Sequence, residues 1–399
     1  MFNFDEPTLR TNIDSVKWSS PQEQLQESNT PDRDYLPMWI ADMDFETAPA
    51  VKQAILDRAA NGTFGYSDIP DEFGQTISSW WKNRHHFLID PSNIIFVSGV
   101  VPAISSAVRS LTNVAEKIVV QPPVYNIFYN SIVNNGRRVY EVPLTHDAEE
   151  NVYSMDFDAL ENAFSDPLTT MMILCNPHNP TGNIWSKEDL SRLGDLADKY
   201  GVIILSDEIH CEVVRPGLAH IPFASASDVC RDVAITCASP SKAFNTAGIH
   251  AAYAMIDNPR IRARFERGIN NDEVAEPNSF ACRAVIAAYT RCEQWLNELN
   301  SYIQANKDYA TEKITNANIR TRITESNATY LLWLDCSAIT DNAQDLVDYI
   351  YTTTGLKLAS GEIYGANGKS FIRMNVATQR YRVEDGVNRF ISAVHNYLS

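Results

Sequence analysis

Basic residues are scarce in this chain: 33 lysines and arginines stand against 50 aspartates and glutamates, a net charge of −17 over 399 residues. A surface of that sign repels a phosphate backbone, so nucleic acid is not an expected partner. Long apolar runs are missing as well. No stretch reaches the about 18 uninterrupted apolar residues that a membrane helix needs, and no membrane partner is expected. The seven cysteines, from Cys175 to Cys336, include no C-x-x-C pair. Their odd number and scattered spacing suit a reduced, cytoplasmic setting. The start "MFNFDEPTLRTNIDSVKW" has no basic stretch leading into an apolar core, so no secretory signal is expected. No internal repeat and no G-x-G-x-x-G motif for a nicotinamide cofactor occurs. "GANGKS" (365–370) ends like a nucleotide-binding loop, but Ile363 stands where that motif needs its first glycine. His85 and His86 point about 100° apart on a helix and lack a partner one turn away. They are expected at the surface, and no metal site is expected.

What the chain does contain is a 44% apolar composition, enough for a core, and a length that favours a large domain with a smaller one. Between about 94 and 256, short apolar runs alternate with amphipathic stretches. The runs are "IIFV" (94–97), "KIVV" (117–120), "TMMILC" (170–175), "VIILS" (202–206), "VAITC" (233–237) and "AAYAMI" (251–256). β-Branched runs of this length bounded by helical patterns read as parallel strands buried on both faces. "SKEDLSRLGDLADKYG" (186–201) is such a helix, with Ser186 as N-cap and a closing glycine. The expected fold class is therefore α/β, a mostly parallel sheet sandwiched by helices, over residues 48–289. A smaller α+β domain is expected from residues 1–47 with 290–399, where "ATYLLWLD" (328–335) and "FIRMNVA" (371–377) read as strands.

In open parallel sheets ligands bind beyond the carboxyl ends of the strands. Five runs here end in polar or small residues. "SGVVPAI" (98–104) opens a helix whose first N–H groups suit a phosphate. Tyr125 follows the second run and offers a ring to a flat ligand, Asn179 lies in "NPHNPTG" (176–182), Asp207 begins "DEIH", and Lys242 ends "ASPSK". Each has an ordinary structural reading: Asp207 or Ser239 as a cap, Asn179 as a turn former, Tyr125 as core. Five at successive strand ends point instead to a site.

Lys242 has no acidic neighbour in sequence. A desolvated lysine has a lowered pKa and can act as nucleophile and base. With a phosphate cradle, an aromatic platform and a carboxylate, it meets the needs of pyridoxal 5′-phosphate, which requires a Schiff-base lysine, an acid facing its ring nitrogen and a phosphate anchor.

The order "NPHNPTG", "SDEIH", "SPSKAFN" resembles the fold-type I pyridoxal-phosphate enzymes, the aspartate aminotransferase superfamily. "PMWIADMDF" (37–45), "GVVPAI" (99–104), "HIPFAS" (220–225), "ATYLLWLD" and "FIRMNVAT" (371–378) narrow the resemblance to the MalY/PatB family of cystathionine β-lyases. The resemblance implies that Lys242 carries the cofactor and shuttles the proton, with Asp207 on the ring nitrogen, Asn179 on the ring hydroxyl and Tyr125 over the ring. It further implies a phosphate held by the backbone of Gly99, Val100 and Val101, by the Ser239 and Ser241 hydroxyls, and by Tyr66 from a second subunit. Arg373 would grip the substrate α-carboxylate, and the segment of Trp39, Ala41 and Asp42 would line the pocket. His210 stands where many aminotransferases have a tyrosine and is placed among the cofactor contacts. His250 stands where they carry a phosphate-binding arginine. The implied protein is a homodimer with shared sites, acting on a small sulfur amino acid as a carbon–sulfur β-lyase. Its rivals are an aminotransferase and a regulatory protein on the same scaffold.

Overall fold

The computed structural model describes residues 2–8, 10, 13–19 and 34–399. The remainder of the 1–47 segment, including 20–33, lies outside the described residues. A seven-stranded sheet forms the centre of the structure. Its strands are β1 (Ile94–Val97), β2 (Lys117–Val120), β3 (Arg138–Glu141), β4 (Thr169–Cys175), β5 (Ile203–Asp207), β6 (Ala234–Ala238) and β7 (Ala252–Met255). They are ordered β1-β7-β6-β5-β4-β2-β3. All run parallel except β7, which is antiparallel to both of its neighbours.

The last feature departs from the sequence reading, which took 251–256 as one more parallel strand. A parallel return needs a crossover, usually helical. Residues 239–251 contain only turns and one short 3₁₀ turn (Ala247–Ile249), so the chain doubles back. β3 was not anticipated: "RVYE" is short, partly exposed and charged at both ends, as suits an edge strand.

Side chains alternate between two apolar layers. On β4, Met171 and Ile173 face one cluster while Met172 and Leu174 face the other. Every one of these is essentially fully buried, a condition that contributes roughly 1.5–3 kcal/mol per large aliphatic side chain. Helices α1 (Pro49–Ala60), α2 (Asp71–His85), α3 (Val100–Leu111), α4 (Lys187–Tyr200), α5 (Pro259–Asn271) and α6 (Ala281–Arg291) flank the sheet. α3 and α5 cover one face through Ile104, Val108, Phe265 and Ile269. α2, α4 and α6 cover the other through Ile77, Trp81, Leu193 and Val285. α4 begins and ends as its sequence indicates: the Ser186 hydroxyl accepts from Asp189 N at 3.0 Å, and Gly201 closes the helix at φ +70°.

His85 is not the surface residue its sequence context suggests. Its Nε2 lies 2.8 Å from Glu212 and its ring packs against Trp81, while His86 ends α2 exposed at φ +52°. His85, Cys211 and Glu212 bring ligand atoms within 4.8 Å of one another. The Glu212 oxygens are already taken by Trp80, Arg84 and His85, and the Arg84 guanidinium would repel a cation there.

A second, antiparallel sheet is built from β8 (Arg322–Ile323), β9 (Leu331–Asp335), β10 (Ala359–Ser360) and β11 (Phe371–Asn375), ordered β8-β9-β11-β10. Helices α7 (Glu293–Asn316), α8 (Ala343–Thr354) and α9 (Arg380–Tyr397) accompany it. Leu332, Leu334, Ile372 and Met374 meet α8 and α9 in a separate core, whereas Leu331, Trp333 and Phe371 join the core of the large sheet. Period-two alternation puts Arg373 on the same face as Phe371, toward the large sheet. Leu36–Pro37 pairs in parallel with Leu356–Lys357 as a separate two-stranded sheet, and Asn375 N of β11 donates to the Met38 carbonyl at 2.8 Å, so this N-terminal segment runs beside the second sheet. Among the described residues no helix is long and apolar enough to cross a membrane.

Candidate active site

The carboxyl ends of β4, β5 and β6 lie side by side, with Cys175 opposite Asp207 and Asp207 opposite Cys237. Asp207 ends β5; the loop after β4 carries Asn179, and the turn after β6 carries Ser239, Ser241 and Lys242. The β1–α3 junction adds Gly99, Val100 and Val101, and the chain after β2 adds Tyr125. All of these border one cavity of about 1050 Å³, together with Arg373, His210, Ala41 and Asp42. The loop after β4 is fixed by its final glycine: at Gly182, φ is +78° and a Cβ would meet Ser326 Oγ at 2.1 Å.

Its electrostatics are those of an incomplete set. Asp207 is 4% exposed, and its side chain accepts one hydrogen bond, from Ile209 N at 3.1 Å. No cation among the described residues pairs with it, and burial, opposed by the hydrogen bond from Ile209 N, reinforced by the Glu208 charge and opposed last by the Lys242 charge, pushes its pKa up to about 7. Lys242 Nζ donates to the Ala41 carbonyl at 2.6 Å and likewise has no ion-pair partner among the described residues. Burial lowers its pKa, with the Asp42 charge opposing and Arg373 assisting. Tyr125 is raised to about 12 by burial and then by Asp207. Burial first, then Lys242 and Arg373, lower His210 to about 3, so it is a neutral imidazole. Its Nδ1 is buried without a hydrogen-bond partner among the described residues.

α3 opens at Gly99 with no side-chain cap. Two N–H groups of its first turn, on Val100 and Val101, precede Pro102, which has none, and they are free for an anion. Gly99 itself is extended at φ 177°. Asn179 Oδ1 accepts from Arg373 Nη1 at 3.0 Å, which leaves its amide N–H groups to donate. Arg373 Nη2 donates to the Trp39 carbonyl at 2.9 Å, and the guanidinium carbon lies 4.8 Å from the Tyr364 ring centre.

Three residues named from the sequence are placed differently from the rest. Trp39 does not border the cavity and contributes its carbonyl to Arg373. The Ser239 hydroxyl accepts from Ser241 N at 3.0 Å and donates to the Ala251 carbonyl at 2.7 Å, so Ser241 holds the uncommitted hydroxyl. Tyr66 is fully exposed and outside the cavity of a single chain. His250, at φ +53°, stands exposed at the cavity edge. Sequence reasoning missed Tyr330, which donates to the Ala41 carbonyl at 3.1 Å and lies edge-on to His210. It also missed Tyr364 and Arg10. Tyr330 sits inside "ATYLLWLD", which was read only as a strand, whereas Arg10 has no local signal at all.

A half-buried amine, an unpaired buried carboxylate at the neighbouring strand end, an aromatic ring and an uncapped helix together define a site for an aldehyde cofactor with a basic ring nitrogen and a phosphate. Residues 33–390 match the aminotransferase class I and II family, and the chain belongs to that family. It is 38% identical to the cystathionine beta-lyase PatB of Bacillus subtilis (strain 168), over 98% of this chain and all of that protein. It is 31% identical to the protein MalY of Escherichia coli (strain K12), over 99% of each. The crystal structure of cystalysin from Treponema denticola, which contains pyridoxal 5′-phosphate, superposes with a TM-score of 0.93 at 28% identity, covering 99% of both chains.

Proposed function

We propose that this protein is a pyridoxal-phosphate-dependent carbon–sulfur β-lyase that cleaves cystathionine or related S-substituted cysteines. The observation that carries the reading is the pair Lys242 and Asp207: Asp207 is buried and Lys242 half-buried in one cavity, and each lacks a counter-ion among the described residues. Lys242 would hold the cofactor aldehyde, Asp207 its ring nitrogen, Asn179 its ring hydroxyl, and the N–H groups of Val100 and Val101 with the Ser241 hydroxyl its phosphate. When bound, this cofactor supplies an aldehyde for the substrate amine and a cationic ring that accepts electrons released at Cα.

The chain's own residues then act in order. Arg373 takes the α-carboxylate in a bidentate fork, oriented by Asn179 and the Trp39 carbonyl. Lys242, its pKa lowered by burial, removes the Cα proton. The Cβ–S bond breaks with its electron pair going to sulfur, and the thiolate leaves and takes up a proton. The three-carbon remainder takes up water and gives pyruvate and ammonia. Incubation with L-cystathionine tests this: homocysteine thiol equal to pyruvate, with no added 2-oxo acid, is expected. Amino transfer to an added 2-oxo acid without thiol would overturn the reading in favour of an aminotransferase.

Arg373→Ala is expected to raise KM for L-cystathionine by about tenfold or more with a smaller change in kcat, because the lost contact is made to a group distant from the bond that breaks. An unchanged KM would remove Arg373 from the carboxylate role. Tyr66, fully exposed in one chain, supports a homodimer in which it reaches the partner's phosphate site. A reduced cytoplasmic setting belongs to the same reading, supported by seven cysteines that are all free and buried.

A further inference from the structure

A buried cation on α7 has no part in the chemistry above. Lys307 is 4% exposed and has no ion-pair partner among the described residues. Burial draws its pKa down to about 7, opposed by the Asp308 charge and assisted by Arg215. Its Nζ donates to the Ser326 carbonyl at 3.2 Å, the Ser326 hydroxyl at 2.9 Å and the Ala328 carbonyl at 2.9 Å. Three acceptors occupy all three N–H groups of an ammonium. Burying a cation on these terms is costly, and an apolar side chain would fill the same space without that cost.

What the lysine holds is the segment 326–330, and that segment touches three parts of the site. Asn327 N and Ala328 N both donate to the Gly182 carbonyl, at 3.0 and 2.9 Å, at the end of the loop that carries Asn179. Thr329 N donates to the Val213 carbonyl at 2.7 Å, and Val213 N donates to the His210 carbonyl at 3.0 Å. Tyr330 donates to the Ala41 carbonyl, the same oxygen that receives Lys242. Two further α7 side chains hold neighbouring backbone. Asn300, about two turns before Lys307, donates to the Glu212 carbonyl at 2.8 Å. Asn306 donates to the Val376 and Thr378 carbonyls, just beyond the strand of Arg373.

We propose that Lys307 is a positioning residue of this site: from α7 it fixes the 326–330 segment, and through it the Asn179 loop, the His210 turn and the Ala41 carbonyl; this rests on the cofactor reading above. Lys307→Met keeps most of the side-chain length but leaves the Ser326 and Ala328 carbonyls without their donor. The cofactor-free protein is titrated with pyridoxal phosphate and followed by visible absorbance, beside thermal unfolding. Lys307→Met is expected to raise the dissociation constant about tenfold or more, the scale of an unsatisfied buried group. Ser326→Ala removes one acceptor and keeps the lysine; a rise of about threefold or more is expected, so the test stands even if Lys307→Met does not fold. Leu346→Ala, in the separate core of the second sheet, should lower the unfolding temperature without moving the constant. If Lys307→Met and Ser326→Ala change only the unfolding temperature, the proposal is overturned and the lyase reading stands. An equal rise in Leu346→Ala would also overturn it, since the effect would then be general destabilisation. A wild type that takes up no pyridoxal phosphate would overturn both.

Discussion

Lys242→Ala is expected to reduce thiol release from L-cystathionine by on the order of a thousandfold or more, since on the proposed reading one amine both holds the cofactor and moves the proton. The visible absorbance of the cofactor joined to the lysine should be lost in the same variant. Lys242→Arg separates charge from nucleophilicity: it keeps the cation but cannot form the bond, and it should be as inactive. The environment explains why the amine is usable. Burial lowers its pKa below 10.5, and among the described residues it donates a hydrogen bond to the Ala41 carbonyl and not to a carboxylate. That shift has a stability consequence in the cofactor-free protein. The unfolded chain binds the proton more tightly, so wild type gains stability as pH rises from the lowered folded value toward 10.5, and Lys242→Ala should lose that gain. Turnover near wild type in either variant would remove Lys242 from the mechanism.

How much of this was legible in the sequence depended on whether the determinant is local. The central strands could be read because strands buried on both faces appear as continuous apolar runs: Ile94–Val97 and Lys117–Val120 form at the boundaries the runs give. Asp207 could be found from the rule that sites gather at strand ends, although the strand extends one residue further and includes it. The direction of Ala252–Met255 could not, because it follows from the missing crossover helix and not from its own residues. Edge strand Arg138–Glu141 was hidden by its charges. His85 was misjudged because its burial comes from Glu212, 127 positions away. The place of Arg373 came from resemblance, and its contacts with Asn179 and Tyr364 are set by the approach of the second sheet. Arg10 reaches the cavity only through Asp42 and Asp44, which no periodicity reveals.

Asp207→Asn is expected to act in opposite directions on the cofactor-free and cofactor-loaded protein. In the cofactor-free chain, burial holds the Asp207 pKa at about 7 against an ordinary value of 3.8. The native state thus keeps its proton to about pH 7 while the unfolded state loses it near pH 4. Stability falls as pH rises through that window and is constant above it. The cost above pH 7 is at most about 4 kcal/mol, from roughly three units at 1.36 kcal/mol each. Asparagine is nearly isosteric, carries no charge and can still accept from Ile209 N. Urea unfolding of the cofactor-free variant should therefore show higher stability than wild type at pH 8, with the difference vanishing toward pH 4. On the proposed reading the same buried carboxylate would face a protonated ring nitrogen in the loaded enzyme, and a preorganised charge in a dry site is worth far more than in water. There the variant should bind the cofactor less tightly and turn over on the order of a hundredfold or more slowly. A cofactor-free variant no more stable than wild type at pH 8 would show that Asp207 is compensated within the chain. Its stability disadvantage and its proposed catalytic value have one origin, the absence of a cation beside it among the described residues, and a site that had evolved for packing alone would have no reason to keep it.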